Sequence, residues 1–233
     1  GPAPGRRAGH APHGLLLTKR SQRVRQPGDL CFPGGGIEAV SDGMLSQLLA
    51  LPGMPLQRWP HWSQLQKRRP KTTRFIVRLL ATGLRESFEE IGLLPFSADF
   101  LGPLPPQRLV MFKRVIFPMV ASVTWQRRFR TNWEVERLVF IPFDTLLDAN
   151  HYACYRVTYD THLKGRYGRP GGDFPCFLHQ AQGQRQEVLW GATYRIVTAL
   201  LAAAFNFHPP PTDQLPVVER ALSSTYLTGR PSA

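Results

Sequence analysis

Three carboxylates, Glu86, Glu89 and Glu90, stand at spacings i, i+3 and i+4. On a helix those spacings share one face. Like charges so placed repel, and the arrangement costs stability unless a cation neutralises it. Hard divalent cations such as Mg²⁺ or Mn²⁺ prefer oxygen ligands, and a carboxylate cluster supplies them. The plain alternative is a solvated acidic face. Two features favour the metal reading. The chain has only 16 acidic residues against a net charge of +13, so three this close together form a concentration. They also precede Gly92, a helix stop, and negative charge is disfavoured at that end of the helix dipole.

A second feature lies upstream, in Phe32-Pro33-Gly34-Gly35-Gly36. Glycines let a backbone come close to a phosphate or a metal. Alone the cluster reads as a turn; beside a carboxylate helix it becomes specific.

Together these residues resemble the Nudix box, the loop-helix signature of hydrolases acting on nucleoside diphosphates linked to another moiety. Gly35 corresponds to the loop glycine, and Arg85-Glu86-x-x-Glu89-Glu90-x-Gly92-Leu93 to the helix. Ser87 occupies a place that is usually apolar. The family has a Glu six positions after the glycine; counted from Gly35 that position is Ser41, with Asp42 beside it. Residues 42–84 then separate Ser41 from Arg85, a much longer stretch than the family uses, and residues 43–71 read as an insertion inside the box.

A narrower resemblance is to the coenzyme A diphosphatases within that group. It rests on Leu16-Leu17-Thr18-Lys19-Arg20-Ser21, Gly28, Phe32-Pro33-Gly34-Gly35 and Glu38. That pattern prefers Asp at Glu38, His at Gln26, and Arg at Val24, which here is flanked by Arg23 and Arg25. Asn132-Trp133-Glu134-Val135, Phe140-Ile141-Pro142-Phe143 and Trp190–Ile196 are similar to later segments of the same subgroup. The resemblance runs from about Leu15 to Phe207.

The resemblance implies hydrolysis of a diphosphate by water with Mg²⁺ or Mn²⁺. The implied metal ligands are Glu89 and Glu90, the backbone carbonyl of Gly34, and Glu86, which would otherwise act as the base. Arg85 would hold the carboxylates in place through charge-assisted hydrogen bonds. Glu134 is the implied further ligand or base, with Glu136 as fallback. Arg20, Arg23, Arg25 and Gly35 would bind the substrate's phosphates; coenzyme A carries an extra 3′-phosphate that suits a basic rim.

The elements that must position these groups are partly visible. Leu15–Thr18 and Leu30–Phe32 read as short strands, and Leu45–Ala50 as a helical turn or two. Prolines make Leu51–Thr73 irregular, and Trp59, Trp62 and Lys67-Arg68-Arg69 read as part of a solvated insertion. Arg74–Ile91 reads as a helix, with Phe75, Leu79, Leu84, Phe88 and Ile91 supplying its apolar face. Leu109–Trp125, Val135–Pro142 and Tyr152–Tyr159 are strand-like. Asp144–Leu147 starts a short helix and Gly165–Pro175 is a glycine-rich loop. Glu187–Phe207 reads as a second long helix and Asp213–Leu227 as a short final one. The expected fold is an α/β/α sandwich with a mixed β-sheet, enlarged by the insertion. Residues 1–14 form a flexible lead, 15–207 the catalytic domain, and 208–233 a proline-rich tail.

The bulk composition fits a globular enzyme: 233 residues, 42% hydrophobic and 19% charged. The charge of +13 points to an anionic small-molecule substrate carrying a diphosphate and keeps nucleic acid open. Cys31, Cys154 and Cys176 show no paired spacing, which argues against a disulfide framework or zinc site. No apolar run is long enough to span a membrane. Cytoplasm is the expected location, and a homodimer is compatible with the sequence. Two alternatives stand beside coenzyme A hydrolysis: another substrate (an ADP-linked sugar, a dinucleotide or capped RNA), or a binding module of the same fold without turnover.

Overall fold

A computed structural model describes residues 13–109, 114–181, 183 and 185–228. Most of the N-terminal lead, residues 110–113 of the strand-like Leu109–Trp125 stretch, and the last residues of the tail lie outside these. The order of elements is β1 (Gly14–Arg20), β2 (Leu30–Cys31), α1 (Ser41–Leu49), a 3-10 turn (Pro55–Arg58), α2 (Trp62–Arg68), α3 (Pro70–Ile91), β3 (Ala98–Pro103), β4 (Gln107–Leu109), β5 (Arg114–Ile116), β6 (Met119–Val123), β7 (Val135–Pro142), α4 (Phe143–Leu146), β8 (Tyr152–Tyr159), α5 (Thr161–Tyr167), β9 (Gly171–His179), β10 (Glu187–Trp190), α6 (Gly191–Phe205), β11 (Val217–Leu222) and α7 (Thr225–Thr228).

The fold is mixed α/β. One antiparallel sheet has the order β2-β1-β7, and a larger one the order β10-β9-β8-β11, with β3-β6 and β4-β5 as separate ribbons. In the larger sheet β11 runs parallel to β8 while the other pairs are antiparallel, so it is mixed. The strands are divided among several sheets rather than gathered in one. Among the described residues no helix is long and apolar enough to cross a membrane.

The long helix α3 starts at Pro70, four residues before the expected Arg74. Proline at the first helical position is favourable because the N–H it lacks would be unsatisfied there anyway. The helix ends at Gly92, whose φ of 67° is left-handed, with its N–H on the Phe88 carbonyl. The buried apolar face is Val77, Leu80, Ala81, Leu84 and Ile91, at spacings of three, four and seven. Phe75 and Phe88, expected on that face, are about half exposed. The reason lies in what covers the helix. α1, the 3-10 turn and α2 bring Leu49, Leu56, Trp59 and Trp62 into one core with Val77, Leu80 and Leu84. The stretch expected to be solvated is therefore packed: Trp59 and Trp62 are buried, and the Trp59 Nε1–H donates to the Leu101 carbonyl at 3.0 Å. Its basic end, Lys67-Arg68-Arg69, is exposed as expected.

The remaining differences are in the second half. Within the expected glycine-rich loop, residues 165–167 close α5, whose N-cap Asp160 accepts from the Leu163 N–H at 2.8 Å, and 171–175 open β9. Glu187–Trp190 is a strand paired with β9, and the helix begins only at Gly191. Alternating burial of Glu187 and Leu189 gives period two there. The expected final helix is mostly strand β11, held by pairing with β8. Residues after it lock the turn between β1 and β2: the Gln26 N–H donates to the Tyr226 carbonyl at 2.7 Å, and the Tyr226 hydroxyl donates to Asp29 at 2.6 Å.

Candidate active site

Arg85 is the hub of the site. It lies on the buried side of α3, and its guanidinium is spent on four partners. Nε donates to Asp42 Oδ1 at 2.8 Å. Nη2 donates to the Gly36 carbonyl at 2.9 Å and to Glu86 Oε1 at 3.0 Å. Nη1 reaches both Glu89 oxygens, at 3.3 and 3.2 Å. Glu38 stands 3.7 Å away as a longer ion pair. The planar fork of arginine suits this role, since it presents more N–H donors than a lysine ammonium and holds them in a fixed geometry. Burial works against the charge on Arg85, but the acids around it hold its pKa above the ordinary arginine value.

Asp42, which the sequence sets beside Ser41 at the loop position, is drawn into the cluster. It is fully buried at the start of α1 and accepts three hydrogen bonds: from Arg85, from the Thr82 hydroxyl at 2.7 Å and from the Glu38 N–H at 2.7 Å. Burial opposes its charge, yet these donors hold the carboxyl below the usual Asp range. Asp42 stands six positions after Gly36, and Gly36 is the glycine whose carbonyl Arg85 holds. Counted from Gly36 the sixth position is Asp42, and counted from Gly35 it is Ser41. Ser41 instead donates to Glu38 at 2.9 Å.

Gly35 and Gly34 bring the loop against the helix. A Cβ on Gly35 would fall on the Glu86 carboxylate, well inside van der Waals contact, so a larger residue there displaces the Glu86 side chain. The Gly34 N–H donates to Glu90 Oε1 at 3.2 Å. Glu134 is close enough to raise the proton affinity of both Glu86 and Glu90. Glu90 is pushed up to about 7, first by burial and then by Glu86 and Glu134, against the pull of the Gly34 N–H and Arg20. Burial also raises Glu86, opposed by Arg85 and assisted by Glu89 and Glu134.

Glu134 is brought there by backbone pairing. The Arg130 N–H donates to the Ile91 carbonyl at 3.0 Å, and the Asn132 N–H to the Glu90 carbonyl at 2.9 Å. The loop before β7 therefore runs alongside the end of α3. The Asn132 side chain then accepts from the Glu134 N–H at 2.9 Å. Glu136 points elsewhere, toward Lys19 at 3.5 Å. Of the three candidate phosphate arginines, Arg20 is tied into the site. Its Nε donates to the Arg25 carbonyl at 2.7 Å, and its charge lowers the pKa of Glu90. Arg23 and Arg25 have exposed side chains on the turn that follows.

The donor set suits a hard divalent cation: carboxylate oxygens crowded beyond what one arginine neutralises. Among the described residues no three acidic, His or Cys side chains form a ready-made cage. Glu86 and Glu89 are turned to Arg85, and Glu90 to Gly34. Side-chain rotation about these tethers would be required to close round an ion. The three cysteines are free thiols, and Cys154 and Cys176 are buried.

Two curated proteins are similar to this chain. One, named "Uncharacterized Nudix hydrolase NudL", from Pectobacterium atrosepticum, is 28% identical over 188 residues, covering 80% of this chain and 72% of that protein. The other bears the same name, comes from an Enterobacter species and is 26% identical over 141 residues, covering 60% of this chain and 55% of its own length. No family model matches the chain.

Proposed function

These relatives support a Nudix hydrolase, an enzyme acting on phosphorus-containing anhydrides, and on that premise we propose that the chain hydrolyses the diphosphate linkage of a nucleoside diphosphate derivative with Mg²⁺ or Mn²⁺. The proposed substrate is coenzyme A or acyl-coenzyme A, giving 3′,5′-ADP and the (acyl-)4′-phosphopantetheine. The observation that carries the reading is the closure of the glycine loop onto the helix. Arg85 joins Asp42, Gly36, Glu86 and Glu89, while Glu90 meets the Gly34 N–H. The stretch within the box, residues 43–71, is read as an insertion; residues 43–69 pack beside α3 and 70–71 begin it, without separating the two halves.

Glu86, Glu89, Glu90 and the Gly34 carbonyl are the proposed ligands, with Glu134 as a further ligand or the base. A bound divalent cation would neutralise diphosphate charge and lower the pKa of bound water. The raised proton affinity of Glu86 and the nearness of Glu134 support either as the group that takes the water's proton. The water oxygen then bonds to phosphorus as the bridging P–O bond breaks, and the leaving phosphate carries away the bond's electron pair. Arg85 orients the carboxylates. Arg20, with Arg23 and Arg25 on the adjoining turn, binds the substrate's phosphates. The substrate-class part of the proposal rests on the Leu16–Ser21 and Phe32–Glu38 resemblance.

The test is incubation with coenzyme A, ADP-ribose, dinucleotides and capped RNA in Mg²⁺ or Mn²⁺, with Glu90→Gln and Glu89→Gln as controls. Cleavage of coenzyme A that both variants abolish is the expected result. Cleavage of ADP-ribose alone removes the coenzyme A assignment, and turnover unaffected by either variant removes the site.

A further inference from the structure

Just past the last turn of α3 lies an open concavity of about 440 Å³ that the catalytic cluster does not use. Trp125, Arg127, Arg128 and Arg130 line it, together with Gly92 and Leu94 at the end of the helix. The volume lies within the range of small-ligand sites. Trp125 is 79% exposed, the most exposed of the large hydrophobic residues described, and Trp133, at the other end of the same segment, is 60% exposed. Arg127, Arg128 and Arg130 are exposed as well. Leaving an indole so far in water wastes its burial energy, and interleaved tryptophan and arginine is the chemistry of base stacking combined with phosphate binding.

The wall behind these residues is built. The Gln126 side chain accepts from the Leu94 N–H at 2.8 Å and donates to the Gly92 carbonyl at 2.8 Å and the Arg128 carbonyl at 2.9 Å. The Arg130 N–H is pinned to Ile91. Occupying the Gly92 carbonyl also softens the negative end of α3, which would otherwise oppose an anion. The segment's charged and aromatic side chains are thus displayed on a fixed backbone.

We propose that the Trp125–Trp133 segment binds single-stranded nucleic acid, with a base stacked on Trp125 and backbone phosphates on Arg127, Arg128 and Arg130. Three arginines in four positions outnumber what one mononucleotide phosphate needs, and a second exposed tryptophan, Trp133, lies in the same segment. The chain's charge of +13 supplies the general attraction, and this surface supplies the stacking. The segment's far end adjoins Glu90 and Glu134 through Asn132, but binding at this surface does not depend on turnover.

The test is fluorescence anisotropy with a labelled single-stranded ten-nucleotide oligomer in EDTA, where metal-dependent hydrolysis is silent. Binding is expected to quench tryptophan emission and to weaken with salt. Trp125→Ala should weaken it roughly 5- to 150-fold, the range for losing one stacked base. The triple variant R127A/R128A/R130A should flatten the salt dependence by about 0.7 in log-log slope for each phosphate no longer neutralised. The control is K67A/R68A/R69A, which removes equal charge from the exposed end of α2. Equal weakening by both triple variants would overturn the proposal in favour of unspecific attraction. So would no binding by the wild-type chain, or ADP competing as tightly per molecule as the oligomer binds.

Discussion

Removing the Asp42 carboxylate tests whether the loop and helix are one unit. Asp42 is fully buried and holds Arg85, Thr82 and the Glu38 N–H at 2.7–2.8 Å. Breaking a buried ion pair by deleting one partner costs about 3–5 kcal/mol, because the other charge is left uncompensated. Arg85 keeps Glu86, Glu89 and the Gly36 carbonyl, which places Asp42→Ala near the lower end, about 3 kcal/mol. For a chain of this size each kcal/mol moves Tm by about 2–4 °C, so the expected fall is about 6–12 °C by circular dichroism. Asp42→Asn keeps the shape and one acceptor, and should lose about half as much. Activity should fall on the order of 10²-fold in Asp42→Ala, because the freed guanidinium no longer fixes Glu86 and Glu89. The pH dependence has a definite sign. The folded pKa of Asp42 lies below its ordinary value of 3.8, so its contribution is full above about pH 4 and is lost as pH falls through the folded pKa. Wild type should therefore lose more stability than Asp42→Asn on acidification below that point. A Tm change under about 2 °C, or unchanged turnover despite a lowered Tm, would refute the reasoning.

Gly35→Ala should leave Tm nearly unchanged, since the added Cβ meets only the movable end of the Glu86 side chain, yet reduce turnover about 10²-fold by displacing that carboxylate; an active variant would contradict the close approach. Glu90, raised to about 7, binds its proton better folded than unfolded, so metal-free protein should lose stability as pH rises from about 4.5 through 7. Excess Mg²⁺ should remove that loss in urea unfolding, and an unchanged profile would argue against a cation at Glu90. Trp59→Ala, buried against Phe100 with ring centroids 5.0 Å apart, should cost about 3–5 kcal/mol; a loss under about 1 kcal/mol would restore a solvated insertion.

The candidate site residues stand out in the sequence because their signal is local. Glu86, Glu89 and Glu90 share a helix face by spacing alone, Gly92 stops that helix by its conformational freedom, and Val135–Pro142 and Tyr152–Tyr159 are strands by composition and span the same residues in the fold. What was not legible depended on neighbours. Residues 187–190 carry too short a pattern to tell a strand from the first turn of a helix, and pairing with β9 decides it. Val217–Leu222 becomes a strand only because β8 offers it an edge. Trp59 and Trp62 sit in a proline-rich stretch with no periodicity, and only the uncovered face of α3 explains their burial. Asp42 and Arg85 are separated by more than forty positions, and no local pattern predicts an ion pair across that distance; the folded chain brings them to 2.8 Å. Residue types and spacing were enough to say which groups could do chemistry. Which of them meet was a matter of the folded chain, because burial and hydrogen-bond partners come from segments far apart in the sequence.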